Sequence, residues 1–303
     1  TNYLFWVCVC TFALWLTPVY KWFFLFLLLL PMSIFQAGSV SADVFMIALS
    51  FLYTSYVFWL TFTNKPITGF YWIVLIVMVV LLGFTKVNYA FIGLIALVIP
   101  ITSFRNRSQF WLRMGSVVVL IPILAGLNFL SSSYIKSPIK RGVDPKSQAM
   151  YLLEDPIRTL GIYKTTLVHT TPWIYKEFIG KLGWLDTPMP DWLYNLTIAI
   201  AVFMALLNNY ESSGLRIWQR VLLVWIFSLN VILIYTGLYI SWSPPGFPWA
   251  YLPQGRYFIP LAPMLIPVFH HNFLIYLRLI LKPFVHVLVT CYFFVSLTTM
   301  ILS

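Results

Sequence analysis

The 303-residue chain is 61% hydrophobic and only 9% charged, against roughly 25% charged residues in soluble globular domains, a composition that excludes a water-soluble fold. Its formal net charge of +11 would suit a nucleic-acid partner, but the basic residues are spread between apolar runs and form no phosphate-tracking cluster, so nucleic acid is set aside. The apolar runs are continuous, not alternating, which disfavours a membrane β-barrel and predicts an all-α, polytopic transmembrane helical bundle.

A bilayer core takes about 20 apolar residues as a helix, fewer where flanking side chains snorkel. About ten candidate spans follow in chain order: Tyr3 to Leu16, Trp22 to Phe35, Val44 to Phe62, Phe70 to Phe84, Tyr89 to Ile101, Leu112 to Leu130, Trp192 to Leu207, Val221 to Ile240, Tyr257 to Phe273 and Phe284 to Leu302. The second, fourth and fifth are short.

With ten spans, alternate loops carry Lys21, Lys65, Arg105 with Arg107 and Arg113, Arg216 with Arg220, and Arg278 with Lys282, opposed only by Glu211. The positive-inside rule makes that face cytoplasmic. Asp43, Lys86, Arg256 and the stretch 131–191 then lie on the extracytoplasmic face. This topology puts Thr1 outside the cytoplasm, so a helix and a first outer loop are expected upstream of it. Residues 1–303 read as a single integral membrane domain, in what the family resemblance below makes a bacterial cytoplasmic membrane.

The first candidate site lies between the second and third spans, where Gln36-Ala37-Gly38-Ser39-Val40-Ser41-Ala42-Asp43 is small and polar and ends in a carboxylate. Ionisable groups at membrane depth are retained where they pair, line a wet cavity or do chemistry. Asp43 either caps the helix beginning at Val44 or faces an outer cavity, where it could take a hydroxyl proton, bind a sugar hydroxyl or orient a divalent metal. No other metal ligand or cofactor is indicated. Lys86, in the short turn Gly83-Phe84-Thr85-Lys86-Val87-Asn88, either snorkels to water or offers a compact charge to a lipid phosphate.

The loop 131–191 is too long for a simple connector, and basic and acidic residues nearly balance in it; Lys164, Lys176, Lys181, Glu154, Glu177 and Asp191 are among them. Asp155-Pro156 signals an N-cap with proline at the first helical position. A second amphipathic helix is expected from Thr171-Pro172 through Trp184. These helices either cap the bundle or lie at the interface as a roof over a lipid-facing site. Of the histidines, only His169 falls on this outer side.

The last candidate, Tyr251-Leu252-Pro253-Gln254-Gly255-Arg256-Tyr257, enters the ninth span from the outer face. Arg256 offers a planar fork to phosphate oxygens, Gly255 permits close backbone approach and Tyr257 supplies an amphipathic ring; the alternative is an interfacial anchor. Cys8, Cys10 and Cys291 are scattered through apolar helices and form neither a disulfide framework nor a zinc site.

Leu30-Pro31-Met32-Ser33 with Ser39-Val40-Ser41-Ala42-Asp43, then Gly180-Lys181-Leu182-Gly183-Trp184-Leu185-Asp186-Thr187-Pro188, then Gln254-Gly255-Arg256-Tyr257-Phe258-Ile259-Pro260 together resemble family 2142 of the domains of unknown function, bacterial polytopic membrane proteins. That family looks like a relative of the GT-C membrane glycosyltransferases. The resemblance implies inverting transfer of a sugar from a polyprenyl-phosphate carrier to a cell-envelope glycan or lipid on the outer side of the membrane. By this analogy Asp43 matches a second-loop acid, and Lys86 and Arg256 the phosphate binders; Gln254 and Tyr257, flanking Arg256, and His169, on the same outer side, complete the candidate substrate-binding residues. The family's Pro-x-Asp-Glu-type first-loop acid has no counterpart here and is expected upstream of Thr1. A flippase or transporter for a lipid-linked sugar, or a scaffold for envelope enzymes, is the competing expectation; it would use the same phosphate-binding residues without chemistry.

Overall fold

The computed structural model describes residues 2–63, 66–134, 143–207, 214–244, 246–269 and 275–302, with backbone alone over 128–134 and 275–283. Lys65, Lys136, Lys140, Arg141, Glu211, His270 and His271 lie outside the described residues.

The chain is helical almost throughout. Helix α1 (Asn2–Leu16) leads to α2 (Lys21–Leu28) and α3 (Pro31–Gly38), then to α4 (Asp43–Phe62) and α5 (Gly69–Thr85). A 3-10 helix over Val87–Val98 precedes α6 (Arg107–Tyr134). Helices α7 (Pro145–Glu154) and α8 (Pro156–Gly180) follow, then a ribbon of two-residue strands, β1 (Lys181–Leu182) antiparallel to β2 (Thr187–Pro188). After α9 (Asp191–Leu207) and α10 (Ile217–Trp242), a 3-10 turn over Gly255–Leu261 runs into α11 (Ala262–Leu265), and α12 (Ile275–Leu302) ends the described chain.

Ten full spans do not form. Among the described residues, α4, α6 over Arg107–Leu127, α10 and α12 over Phe284–Leu302 are long and apolar enough to cross a membrane, and α2 with α3 makes a fifth span only if a 61° bend is allowed. The other expected spans are shorter apolar helices of 10–17 residues. Proline accounts for two of the differences. Pro31 has no N–H to donate and holds Leu30 extended, which breaks the second expected span at the α2–α3 junction. Pro260, Pro263 and Pro267 likewise divide the ninth into 3-10, α and 3-10 pieces.

The fifth expected span winds as a 3-10 helix. At about 2 Å per residue its 12 residues reach about 24 Å, which partly offsets their small number. Packing holds it there: Tyr53 donates to the Gly93 carbonyl at 2.7 Å, a Cβ at Gly93 would sit 3.0 Å from Val79 of α5, and Gln219 Nε2 donates to the Val98 carbonyl at 2.6 Å.

Helix α4 is the hub. Its span is 78% buried inside the protein, against 17–28% for the other three full-length spans, and it packs on α1, α5 and the Val87–Val98 helix. The outer faces of α6, α10 and α12 present Leu112, Val119, Val221, Trp225, Val287 and Phe294, a lipid-facing exterior.

In the long loop, Asp155 accepts from the Ile157 and Arg158 amides at 3.0 Å with Pro156 behind it, the expected N-cap. Asp144 caps α7 in the same way. The expected second amphipathic helix does not start at Thr171; α8 continues through Pro172, which leaves the carbonyl of exposed Val168 without its helical donor. Trp184 is not helical either. It stands 96% exposed at the ribbon tip between Gly183 (φ 63°) and Leu185 (φ 66°), with its amide donating to Asp186 Oδ1 at 3.1 Å.

Candidate functional site: one carboxylate between two cations

Three distant segments converge at one end of the bundle. Asp43 is the first residue of α4, Lys86 follows the last residue of α5, and Arg256 is the second residue of the 3-10 turn Gly255–Leu261. Antiparallel packing of α4 on α5 places the start of one beside the end of the other.

Asp43 does not cap α4 with its side chain; Ala42 holds the cap position. Its amide donates to Ser41 Oγ at 3.1 Å, and the preceding loop is tied to α1 by Asn2 Nδ2, which donates to the Ser39 carbonyl at 3.1 Å. The carboxylate is thereby free to turn to the two cations. Lys86 Nζ donates to Oδ1 at 2.6 Å, and Arg256 Nε lies 3.3 Å from Oδ2 as an ion pair whose N–H is not aligned for a hydrogen bond. The negative end of the α4 carboxylate also sits at the positive end of that helix's dipole.

The exposures differ. The Asp43 side chain is 7% exposed, whereas Arg256 keeps 26% and Lys86 41%. One buried acid therefore holds two half-open cations, leaving a formal surplus of one positive charge. Tyr257 backs the pair, with its ring 4.8 Å from Lys86 Nζ and 5.8 Å from Arg256 Cζ, and Tyr89 fixes its carbonyl with a 2.8 Å hydrogen bond.

Gln254 lies next in the chain, its Oε1 buried with no hydrogen-bond partner among the described residues. His169 is placed elsewhere, stacked on Trp249 at 4.8 Å on the exposed side of α8. Thus Asp43, Lys86, Arg256 and Tyr257 come together, Gln254 adjoins them and His169 does not.

Sequence reasoning missed Glu177, which it counted only among the balancing acids of the loop. This buried residue on the last turns of α8 accepts the Gly255 N–H through Oε2 at 2.9 Å. Burial raises its carboxyl above the ordinary range, opposed by that hydrogen bond and by the charges of Lys181 and Arg256. A signal existed: Ile162, Thr166, Thr170 and Glu177 share one helical stripe, and all four are buried.

No group of three or more His, Cys, Asp or Glu able to hold a metal occurs among the described residues. An apolar cavity of about 280 Å³ lies among α2, α8, α9 and α11, lined by Phe26, Leu30, Phe178, Ala201, Ala262 and Leu265 among others and by none of the converging charged residues. Phe178 follows Glu177 in α8, and Ala262 continues the turn that carries Arg256.

No curated protein and no solved structure matches the chain. One family model does, over residues 1–265, most of the sequence and all of the converging segments. The chain belongs to the family described as predicted membrane protein (DUF2142).

Proposed function

We propose that the protein is a GT-C-like membrane glycosyltransferase, working at the extracytoplasmic face, in which Lys86 and Arg256 receive the phosphate of a polyprenyl-phosphate-linked sugar. The observation that carries this reading is the cation pair anchored on Asp43, with surplus positive charge and its two ammonium and guanidinium groups still partly open. A phosphate satisfies that geometry, since the guanidinium can present paired donors and the ammonium a compact charge.

What lies beyond the charged cluster supports a lipid-linked substrate. Ala262 lies six residue steps beyond Arg256 along 3-10 backbone, about 12 Å at about 2 Å per residue, and it lines the apolar cavity. A charged head with a hydrocarbon tail fits this layout better than a free sugar phosphate. The buried Oε1 of Gln254 has no hydrogen-bond partner among the described residues, an unmet acceptor that a hydroxyl on the sugar or the acceptor would satisfy.

In the transfer, an acceptor hydroxyl oxygen attacks the anomeric carbon, the bond from that carbon to the phosphate oxygen breaks, and polyprenyl phosphate leaves with the electron pair. Lys86 and Arg256 stabilise the charge that develops on the departing phosphate. Asp43 directs both of its oxygens to cations, so its part is to hold them in place; the hydroxyl proton passes through water to the released phosphate, which balances the step. A divalent metal on Asp43 would have to displace those cations.

A carrier that moves lipid-linked sugar without bond cleavage would use the same pair, so the deciding experiment follows the bond. The protein is reconstituted in lipid nanodiscs with a labelled polyprenyl-phosphate sugar, and acceptor-stimulated release of polyprenyl phosphate is measured. Release by the wild type and none by Arg256→Ala is expected. Lipid translocation without release would favour the carrier, and equal release by both proteins would remove Arg256 from the site.

A further inference from the structure

We propose that Glu177 is the positioning residue for Arg256: its buried carboxylate locks the Gly255 amide and so couples helix α8 to the cation pair on which the reading above rests. Two independent contacts place the Gly255 segment against α8. One is the 2.9 Å hydrogen bond from the Gly255 N–H to Glu177 Oε2. The other is steric: a Cβ on residue 255 would collide with the Ile174 carbonyl oxygen, the Phe178 amide nitrogen and the Glu177 carbonyl carbon. Glycine and glutamate therefore form a matched pair, one giving the space and the donor, the other the acceptor.

Glu177 occupies its position against two opposing effects. It is 6% exposed, and burial disfavours a carboxylate. It also lies in the last turn of α8, which ends at Gly180, where the helix dipole disfavours negative charge. An acid held there has a local use, and the amide it meets belongs to the residue immediately before Arg256. The side chain supplies acceptors only, which suits a site whose need is to satisfy a donor.

The chain of contact runs from Glu177 to the Gly255 backbone, through one peptide to Arg256, and from Arg256 Nε to Asp43 Oδ2 at 3.3 Å. Releasing the first bond lets the turn pivot and the guanidinium leave the register it shares with Lys86. Glu177 acts only through that arginine and touches no substrate.

Two measurements on the full chain in nanodiscs test this. Hydrogen exchange of the peptide spanning residues 252–258 reads the lock directly: protection is expected to be high in the wild type and in Glu177→Gln, which keeps an acceptor oxygen, and to collapse in Glu177→Ala. Unchanged protection in Glu177→Ala would overturn the lock.

Affinity for polyprenyl phosphate then reads its purpose in five proteins: wild type, Glu177→Ala, Glu177→Gln, Arg256→Ala and the Glu177→Ala, Arg256→Ala double variant. Glu177→Ala should bind about tenfold more weakly, the factor of one charge-assisted hydrogen bond, with Glu177→Gln close to wild type. In the Arg256→Ala background, Glu177→Ala should cost nothing further. An additive loss would show that Glu177 works elsewhere and would sink the proposal. Absence of binding by the wild type would instead count against the carrier-phosphate reading, while the exchange result still decides the lock.

Discussion

Lys86 Nζ meets Asp43 Oδ1 at 2.6 Å across 43 positions of sequence, joining the end of α5 to the start of α4. The acid is buried and the ammonium is not, so the pair is asymmetric: solvent can serve Lys86 without Asp43, but little can serve Asp43 without its cations. Removing the acid leaves two neighbouring positive charges facing each other; removing one cation leaves the other in place.

Asp43→Ala should therefore destabilise the protein more than Lys86→Ala does. Loss of one partner from a buried pair costs about 3–5 kcal/mol, and the 41% exposure of Lys86 reduces that to about 1–2 kcal/mol here. Thermal unfolding in detergent measures it. The Asp43→Ala, Lys86→Ala double variant should lose less than the sum of the two; strict additivity would mean that the ion pair contributes nothing to the fold.

A phosphate held by two part-exposed cations should be screened by salt. Binding of a polyprenyl phosphate is expected to weaken steadily as ionic strength rises from low to physiological, because the Debye length shrinks to about 8 Å. Lys86→Arg should keep most of the affinity and Lys86→Ala should lose about tenfold, the scale of one charge-assisted hydrogen bond. Salt-independent binding would point to the apolar cavity as the main contact.

Much of the candidate site was legible residue by residue, and little of it as a constellation. Asp43, Lys86 and Arg256 announce themselves as charges bordering apolar runs, because few other reasons keep an ion at that depth. That all three meet depends on the packing of α4, α5 and the Gly255 turn, which no local pattern encodes. Glu177 escaped because an acid in an amphipathic helix is usually on the solvated face; only its place on the Ile162–Thr166–Thr170 stripe argued otherwise. The overestimate of spans has the same origin. Hydropathy registers apolar length, but Pro31, Pro260, Pro263 and Pro267 decide whether that length is one helix, and the close approach at Gly93 decides how it is wound.

Gly255 offers a sharper test of packing than any charge change. Gly255→Ala places a methyl group against the backbone of α8, which cannot yield as a flexible side chain would. Forcing extra volume into such a contact costs about 1–3 kcal/mol, so a lower unfolding temperature is expected, together with loss of protection at residue 255. An alanine variant as stable as the wild type would mean that this turn and α8 are not in contact.

The pH dependence of stability should carry the signature of Glu177. Burial raises its folded-state value above that of the unfolded chain, even with the Gly255 N–H, Lys181 and Arg256 acting in the opposite direction. For a carboxyl shifted upward, the folded state binds the proton more tightly. The stabilising contribution is thus fully present below the ordinary glutamate value and is lost as pH rises through the raised one. Glu177→Gln removes the titration while keeping an acceptor for Gly255, so the variant should gain on the wild type as pH climbs through that window and hold a constant difference above it. Unfolding temperatures of the two proteins, measured in parallel from acid to neutral pH, give the comparison directly. A difference that does not change with pH would mean that Glu177 titrates as an exposed carboxylate does, and that the burial seen at the end of α8 is not maintained in the membrane.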